Sequence, residues 1–208
     1  NKIANYFKTK VKQRYSNYFN MDLNRIKYEA FKDLVISKEE AAAFFKDGMT
    51  VGSSGFTRGG DSKVVLKALA DRAKNENLKV TLLTGASLGH GTDAALVESN
   101  AISKRLPFQV DTVLRKAINK GEVLFIDQHL GETAEHIFNG QFKIDIAILE
   151  IAEILEDGSL VPTTSVGNNV ALAENADKII LEINTAIPTN IKGIHDIYSV
   201  EKYPNRKP

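Results

Sequence analysis

The sequence predicts an α/β domain, a mostly parallel open sheet with helices on both faces. Three observations predict it. Short apolar runs alternate with amphipathic stretches of roughly ten residues, the pattern of strand–helix–strand units. Several of these runs end in turns rich in Gly, Ser, Thr and Asn, as buried strands do when they deliver a polar loop. The chain has 208 residues, of which 43% are hydrophobic and 25% charged, enough for one domain, or one plus an appendage, with a sizeable core.

The elements follow in order. Residues 1–20 carry Lys2, Lys8, Lys10, Lys12 and Arg14 and no acid. They read as a surface arm for an anionic partner or as a solvated amphipathic extension ahead of a natural start at Met21. The extension is adopted, leaving 21–208 as the domain. Ser37 and Glu40 fit a capping box, with apolar residues over 41–45 and Gly48 as the stop. A strand is expected over 49–52. Asp61 is expected to cap a helix with Val65, Leu69 and Ala73 on one face. A strand over 79–83 and a helix over 92–99 come next. Asp111 caps a helix burying Val113, Leu114, Ala117 and Ile118, stopped by Gly121. Then come strand 122–126, helix 132–139, strand 144–151, an Asp157-Gly158 turn, strand 160–162, helix 168–176 and strand 178–183. The chain has no repeat of fixed period.

The net charge of +1 gives no general reason to expect a nucleic-acid partner. With no cysteine, a disulfide frame, a thiolate nucleophile and a Cys-ligated metal are excluded. No apolar run approaches the ~20 residues of a membrane helix, and no signal-peptide core is present. A cytoplasmic protein without a membrane partner is expected. The start at Asn1 and the end in YPNRKP both read as cut.

The organising stretch is KVTLLTGASLGHG at 79–91, an apolar run opening into a glycine and hydroxyl turn. The same arrangement recurs where 49–52 meets SSGFTRGG (53–60) and where 160–162 meets TTSVGNN (163–169). In an open α/β sheet, ligands bind at the carboxyl ends of the strands, so the three turns are expected to form one site.

GASLG at 85–89 matches G-x-S-x-G in a strand–turn–helix context. Either Ser87 is a nucleophile, with Asp127 or Asp145 and His195 completing the set, or the glycines make a sharp turn and Ser87 hydrogen-bonds that turn or a ligand. GFTRGG at 55–60 cradles an anion at the following helix N-terminus or is a plain strand-to-helix turn. It is neither a Walker loop nor a dinucleotide fingerprint. Arg58 pairs with phosphate or carboxylate, or is solvated. Asp127 and His129 share a strand face, whereas His195 and Asp196 point apart. Four scattered histidines do not make a metal site. Glu150 and Glu153 suggest an acid pair. The residues thus describe a domain with a hydroxyl-lined site for an anionic ligand, its reaction open among a serine hydrolase, an anion-binding module and other chemistry.

Six blocks in sequence order add a resemblance: SSGFT, LLTGAS, LRKAINKGEVLFIDQHL, EDGSLVPTTSVGN, KIILEIN and GIHDIY. Together they resemble the acetyl-CoA hydrolase/transferase family, which includes the succinate, acetate and propionate CoA-transferases. The match runs from about Ser37 to Pro208. The resemblance implies a two-domain enzyme with the active site between two α/β halves, of which this chain is the amino-terminal one. It implies a glutamate in the carboxy-terminal half that passes through an acyl anhydride and a glutamyl-CoA thioester, so no glutamate here, Glu150 and Glu153 included, inherits that role. It implies coenzyme A thioester as substrate, no bound cofactor, a carboxylate co-substrate and a homo-oligomer. Gly55, Phe56, Thr57, Gly59 and Gly60, with Gly85, Ala86 and Ser87, become the loops meeting the thioester. Ser87 takes the place of an active-site-lining serine that contacts substrate. Ser165, Val166, Gly167, Asn168 and His195 become the cleft wall, His195 and Asp196 leading into the linker. RGGDSK at 58–63 departs from the small residues and proline of many relatives, which bears on acyl preference.

Overall fold

The computed structural model describes residues 23–196; the basic extension and the tail beyond Asp196 lie outside them. After a 3-10 turn at Leu23–Arg25 come α1 (Glu29–Lys32), α2 (Lys38–Ala42), β1 (Thr50–Ser53), α3 (Val65–Ala73), β2 (Val80–Leu83), α4 (Thr92–Glu98), β3 (Ile102–Leu106) and α5 (Thr112–Asn119). The second half holds β4 (Leu124–Phe125), α6 (Leu130–Phe138), β5 (Ile144–Ile154), β6 (Leu160–Pro162), α7 (Asn169–Asn175), β7 (Ala176–Ile183) and a 3-10 turn at Thr189–Ile191.

The sheet runs β4-β3-β2-β1-β5-β6, with β7 also on β5. Every pairing is parallel except β5 with β6. The long β5 serves two partners along one edge. Its residues from Ile144 to Glu150 pair with β7, and those from Ile151 to Ile154 pair with β6.

Alternation along β5 builds the two faces, because successive strand side chains point to opposite sides. Ile146 and Ile148 join Val51, Val80, Leu82 and Ile102 under α2, α3, α4 and α5, which supply Ala42, Leu66, Leu69, Leu96 and Leu114, with Phe45 from the turn after α2. Ala147, Leu149 and Ile151 join Leu83 and Leu106 on the other face, under Ile137 of α6 and Leu172 of α7. The sheet is therefore covered on both faces, as the alternating pattern implies.

Local signals explain several helix starts. Ser37 Oγ accepts from the Glu40 N–H at 3.1 Å while the Glu40 carboxylate accepts from the Ser37 N–H at 3.0 Å, the reciprocal box. Asp111 accepts from the Leu114 N–H at 2.9 Å. Other expectations are corrected. Asp61 does not cap α3, whose N-cap is Val64. The N–H groups of Lys63, Val64 and Val65 donate instead to Glu182 of β7, at 2.6, 3.0 and 3.2 Å. The helix expected over 132–139 starts earlier, with His129 as its cap: His129 Nδ1 accepts from the Gly131 N–H at 3.1 Å. β4 ends at Phe125, so Asp127 and His129 do not share a strand face. β3, the strand of residues 102–106, is an element that the apolar pattern does not announce.

Candidate functional site

The loop after β1 folds into a tight hairpin. The Phe56 N–H donates to Gly59 O at 2.9 Å and the Gly59 N–H returns to Phe56 O at 3.1 Å, with Thr57 turned to φ +60°. Ser54 Oγ donates to Gly60 O at 2.7 Å and accepts from the Glu150 N–H at 2.8 Å. Ser165 Oγ donates to Gly59 O at 2.9 Å, joining the loop after β6. On the other side the loop after β2 closes backbone to backbone: a Cβ on Gly85 would come 2.7 Å from Gly55 O, so a side chain there would force the loops apart. The three turns are thus brought together at the carboxyl ends of β1, β2 and β6.

Beneath them lies a buried charged network. Glu150 is 2% exposed. Its carboxylate lies 2.5 Å from Lys63 Nζ and accepts from Thr163 Oγ1 at 2.7 Å. Lys63 Nζ also donates to Asp61, to the backbone O at 2.8 Å and to Oδ1 at 3.3 Å. Burial opposes the Lys63 charge most strongly, but the Glu150 hydrogen bond and the Asp61 and Glu150 charges together outweigh it, so its pKa is raised above 10.5. Asp61, fully buried, accepts the Gly89 N–H at 3.0 Å through Oδ2, which also lies 3.2 Å from His90 Nδ1. The carboxylate expected to start a helix therefore ties the first loop to the second.

A second buried pair holds the β2 loop from below. Arg105 Nε lies 3.3 Å from Asp93 Oδ1, both side chains fully buried. Arg105 also donates to the carbonyls of Leu106 and Ala86, and Asp93 Oδ2 accepts from the Leu88 N–H at 2.7 Å. Asp61, Lys63 and Thr163 lie in segments the sequence singles out, but their joining to one another and the roles of Asp93, Arg105 and Glu182 are not written there. Arg105 is fully buried in β3 while Lys104 before it is half-buried, and a buried charge requires a partner.

The predicted site residues divide by exposure. Phe56, Thr57 and Gly167 are exposed, and Gly59, Ser165, Val166, Asn168 and His195 are half-buried along the same rim. Gly55, Gly60, Gly85, Ala86 and Ser87 are buried and shape the loops from within. Ser87 Oγ accepts from the Val110 N–H at 2.7 Å. His195 Nε2 donates to Thr163 O at 2.6 Å, fastening its segment to the third loop. Asp145 accepts from the Thr50 N–H at 2.8 Å and Asp127 is exposed. The Ser, His, Asp set of a hydrolase is therefore not assembled, because Ser87, His195 and Asp145 are committed elsewhere and Asp127 is exposed. The acid pair is likewise not formed: Glu150 is joined to Lys63, and Glu153 Oε2 lies 2.9 Å from Lys27 Nζ. The α3 N-terminus is closed to an anion by Glu182. Among the described residues no helix is long and apolar enough to cross a membrane.

Residues 19–202 match the acetyl-CoA hydrolase/transferase N-terminal domain. The succinyl-CoA:acetate CoA-transferase of Clostridium kluyveri is 40% identical over 187 residues, covering 88% of this chain and 35% of that protein. The acetyl-CoA hydrolase of Schizosaccharomyces pombe is 38% identical over 197 residues, 89% of this chain and 38% of that one. The chain thus spans little more than a third of the length of these relatives. Among solved structures, RipA from Yersinia pestis superposes with a TM-score of 0.63 at 21% identity, over 81% of this chain and 39% of that one. An acyl-CoA transferase from E. coli O157:H7, solved as a thioester complex with CoA, gives 0.53 at 12% identity, over 75% of this chain and 45% of that one; both likenesses speak to fold alone. By sequence and by fold, the chain belongs to the acetyl-CoA hydrolase/transferase N-terminal domain family.

Proposed function

We propose that this chain is the amino-terminal half of a cytoplasmic, homo-oligomeric enzyme that moves coenzyme A between short-chain acyl-CoA and carboxylates, or hydrolyses acetyl-CoA. One observation carries the reading: three loops rich in glycine and hydroxyl residues converge at the carboxyl ends of β1, β2 and β6, in a chain 40% identical to a succinyl-CoA:acetate CoA-transferase. The rim from Phe56 to His195 is one wall of the cleft, and the carboxy-terminal half supplies the other.

The chemistry needs a carboxylate nucleophile. A glutamate attacks the thioester carbonyl, giving a mixed anhydride and CoA thiolate. The thiolate attacks the glutamyl carbonyl, releasing the first carboxylate and leaving glutamyl-CoA. A second carboxylate, or water, resolves that thioester. Glu150 and Glu153 are paired with lysines, which supports placing the nucleophile on the other half. Coenzyme A enters as substrate, and the reaction requires no bound cofactor. Ser87 lines the cleft from below and positions the loop of Val110.

The test is consumption of acetyl-CoA, with and without succinate, read as succinyl-CoA formed and as free CoA released, for this chain and for the protein carried through its carboxy-terminal half. The longer protein is expected to turn over and this chain to be inactive. Turnover by this chain alone would overturn the proposal.

A further inference from the structure

Arg58 is an exposed arginine on a rigid support. It sits at the tip of the hairpin closed by Phe56 and Gly59, which Ser165 and Ser54 fasten to the neighbouring loops. Its stem lies on the second loop: a Cβ on Gly89 would come 2.9 Å from Arg58 Cγ and 3.3 Å from its Cα. Glycine at 89 therefore makes room for this side chain, and the arginine is held against the site. Among the described residues its guanidinium has no hydrogen bond or ion pair.

The nearest acid does not neutralise it. Asp61 is fully buried and both its oxygens are taken, Oδ1 by Lys63 and Oδ2 by the Gly89 N–H and His90 Nδ1. His90, next to Gly89, is exposed, and with Nδ1 on Asp61 its Nε2 faces no described partner. The cleft edge thus carries a planar five-donor cation with nothing of its own to bind. A guanidinium in that state matches the paired oxygens of a carboxylate.

We propose that Arg58, with His90 beside it, reads the distal carboxylate of a dicarboxylic acyl group and so favours dicarboxylic over monocarboxylic substrates. The inference rests on the transfer reading above. In a monocarboxylic substrate the one carboxylate is consumed by the reaction. In a dicarboxylic one the second remains ionised throughout and must be met by a cation or by water. The phosphates of coenzyme A share this chemistry, and the experiment separates the two sources.

The full-length enzyme and its Arg58→Ala, Arg58→Lys and His90→Ala variants are compared with succinate and acetate as acceptors of CoA. Propionyl-CoA and its dephosphorylated form serve as donors, and melting temperatures are recorded. Arg58→Ala is expected to lower the ratio of kcat/KM for succinate to that for acetate about tenfold, through KM for succinate. Arg58→Lys recovers part of the ratio, and His90→Ala shifts it in the same direction by less. An unchanged ratio, equal losses with both acids, or a loss that vanishes with dephosphorylated donor would overturn the assignment, the last by giving Arg58 to the phosphate. A wild-type enzyme that transfers CoA to neither acid would instead overturn the transfer reading itself.

Discussion

Lys63 Nζ lies 2.5 Å from the carboxylate of Glu150, joining the glycine hairpin after β1 to the middle of β5. Removing the cation leaves a carboxylate that is 2% exposed with Thr163 as its remaining side-chain donor. Breaking a buried pair from one side costs about 3–5 kcal/mol, and the partial exposure of Lys63 reduces this, so Lys63→Met is expected to cost ~2 kcal/mol in urea denaturation near neutral pH. The pH dependence follows from the raised Lys63 pKa. Its stabilisation is fully present below the unfolded value near 10.5 and is lost as pH rises through the higher folded value. The gap between wild type and Lys63→Met should therefore be constant through neutral pH and narrow in strongly alkaline buffer. A gap that widens with pH would show that the cation is not what the variant removes.

Glu182 reaches from β7 to the first turn of α3 and takes three backbone N–H groups and the Ser62 hydroxyl, the last at 2.7 Å. A carboxylate there satisfies orphan donors and complements the helix dipole. Glu182→Ala is expected to cost about 1–2 kcal/mol and Glu182→Gln less. Amide exchange should speed up at residues 63–65 before it does elsewhere in α3. Uniform acceleration along the helix would mean that the residue acts through β7.

The reach of Glu182 also shows what a linear reading sees. Ser37 with Glu40 and Asp111 with Leu114 are caps closed within four residues, and both are legible. Asp61 has the same local credentials, yet a residue more than a hundred positions away displaces it, because the fold lays β7 beside that turn. β3 was hidden for a related reason. Its Ser103, Lys104 and Arg105 break the apolar run, and the burial of Arg105 is made tolerable by Asp93 of α4 and by the carbonyls of Ala86 and Leu106. The meeting of the three glycine loops was legible, since their turn chemistry is written in consecutive residues. The charged network beneath them was not, because it joins residues 61, 63, 150 and 163 through space.

Ser87 offers its oxygen to the Val110 N–H and is 2% exposed. A fluorophosphonate probe is expected to leave the protein unlabelled. Ser87→Ala should cost ~1 kcal/mol by orphaning that N–H, and in the full-length enzyme should reduce kcat/KM without abolishing turnover. Stoichiometric labelling that disappears in Ser87→Ala would restore the serine as nucleophile.

The rim of the site is unusually apolar for a free surface. Phe56 follows β1 and is 49% exposed, Phe108 and Val110 follow β3 at 48% and 46%, and Ile126 follows β4 at 36%. All four stand at the carboxyl ends of parallel strands, where the proposed second half would cover them. Exposed apolar surface grouped at one end of a domain drives association. This chain by itself is therefore expected to self-associate as concentration rises in light scattering, and Phe56→Ser with Phe108→Ser to shift it toward monomer. The same two changes in the full-length protein should lower stability, because there the side chains are buried. A chain that stays monomeric at high concentration, together with a full-length protein indifferent to both changes, would show that this end faces solvent and that the second half docks elsewhere.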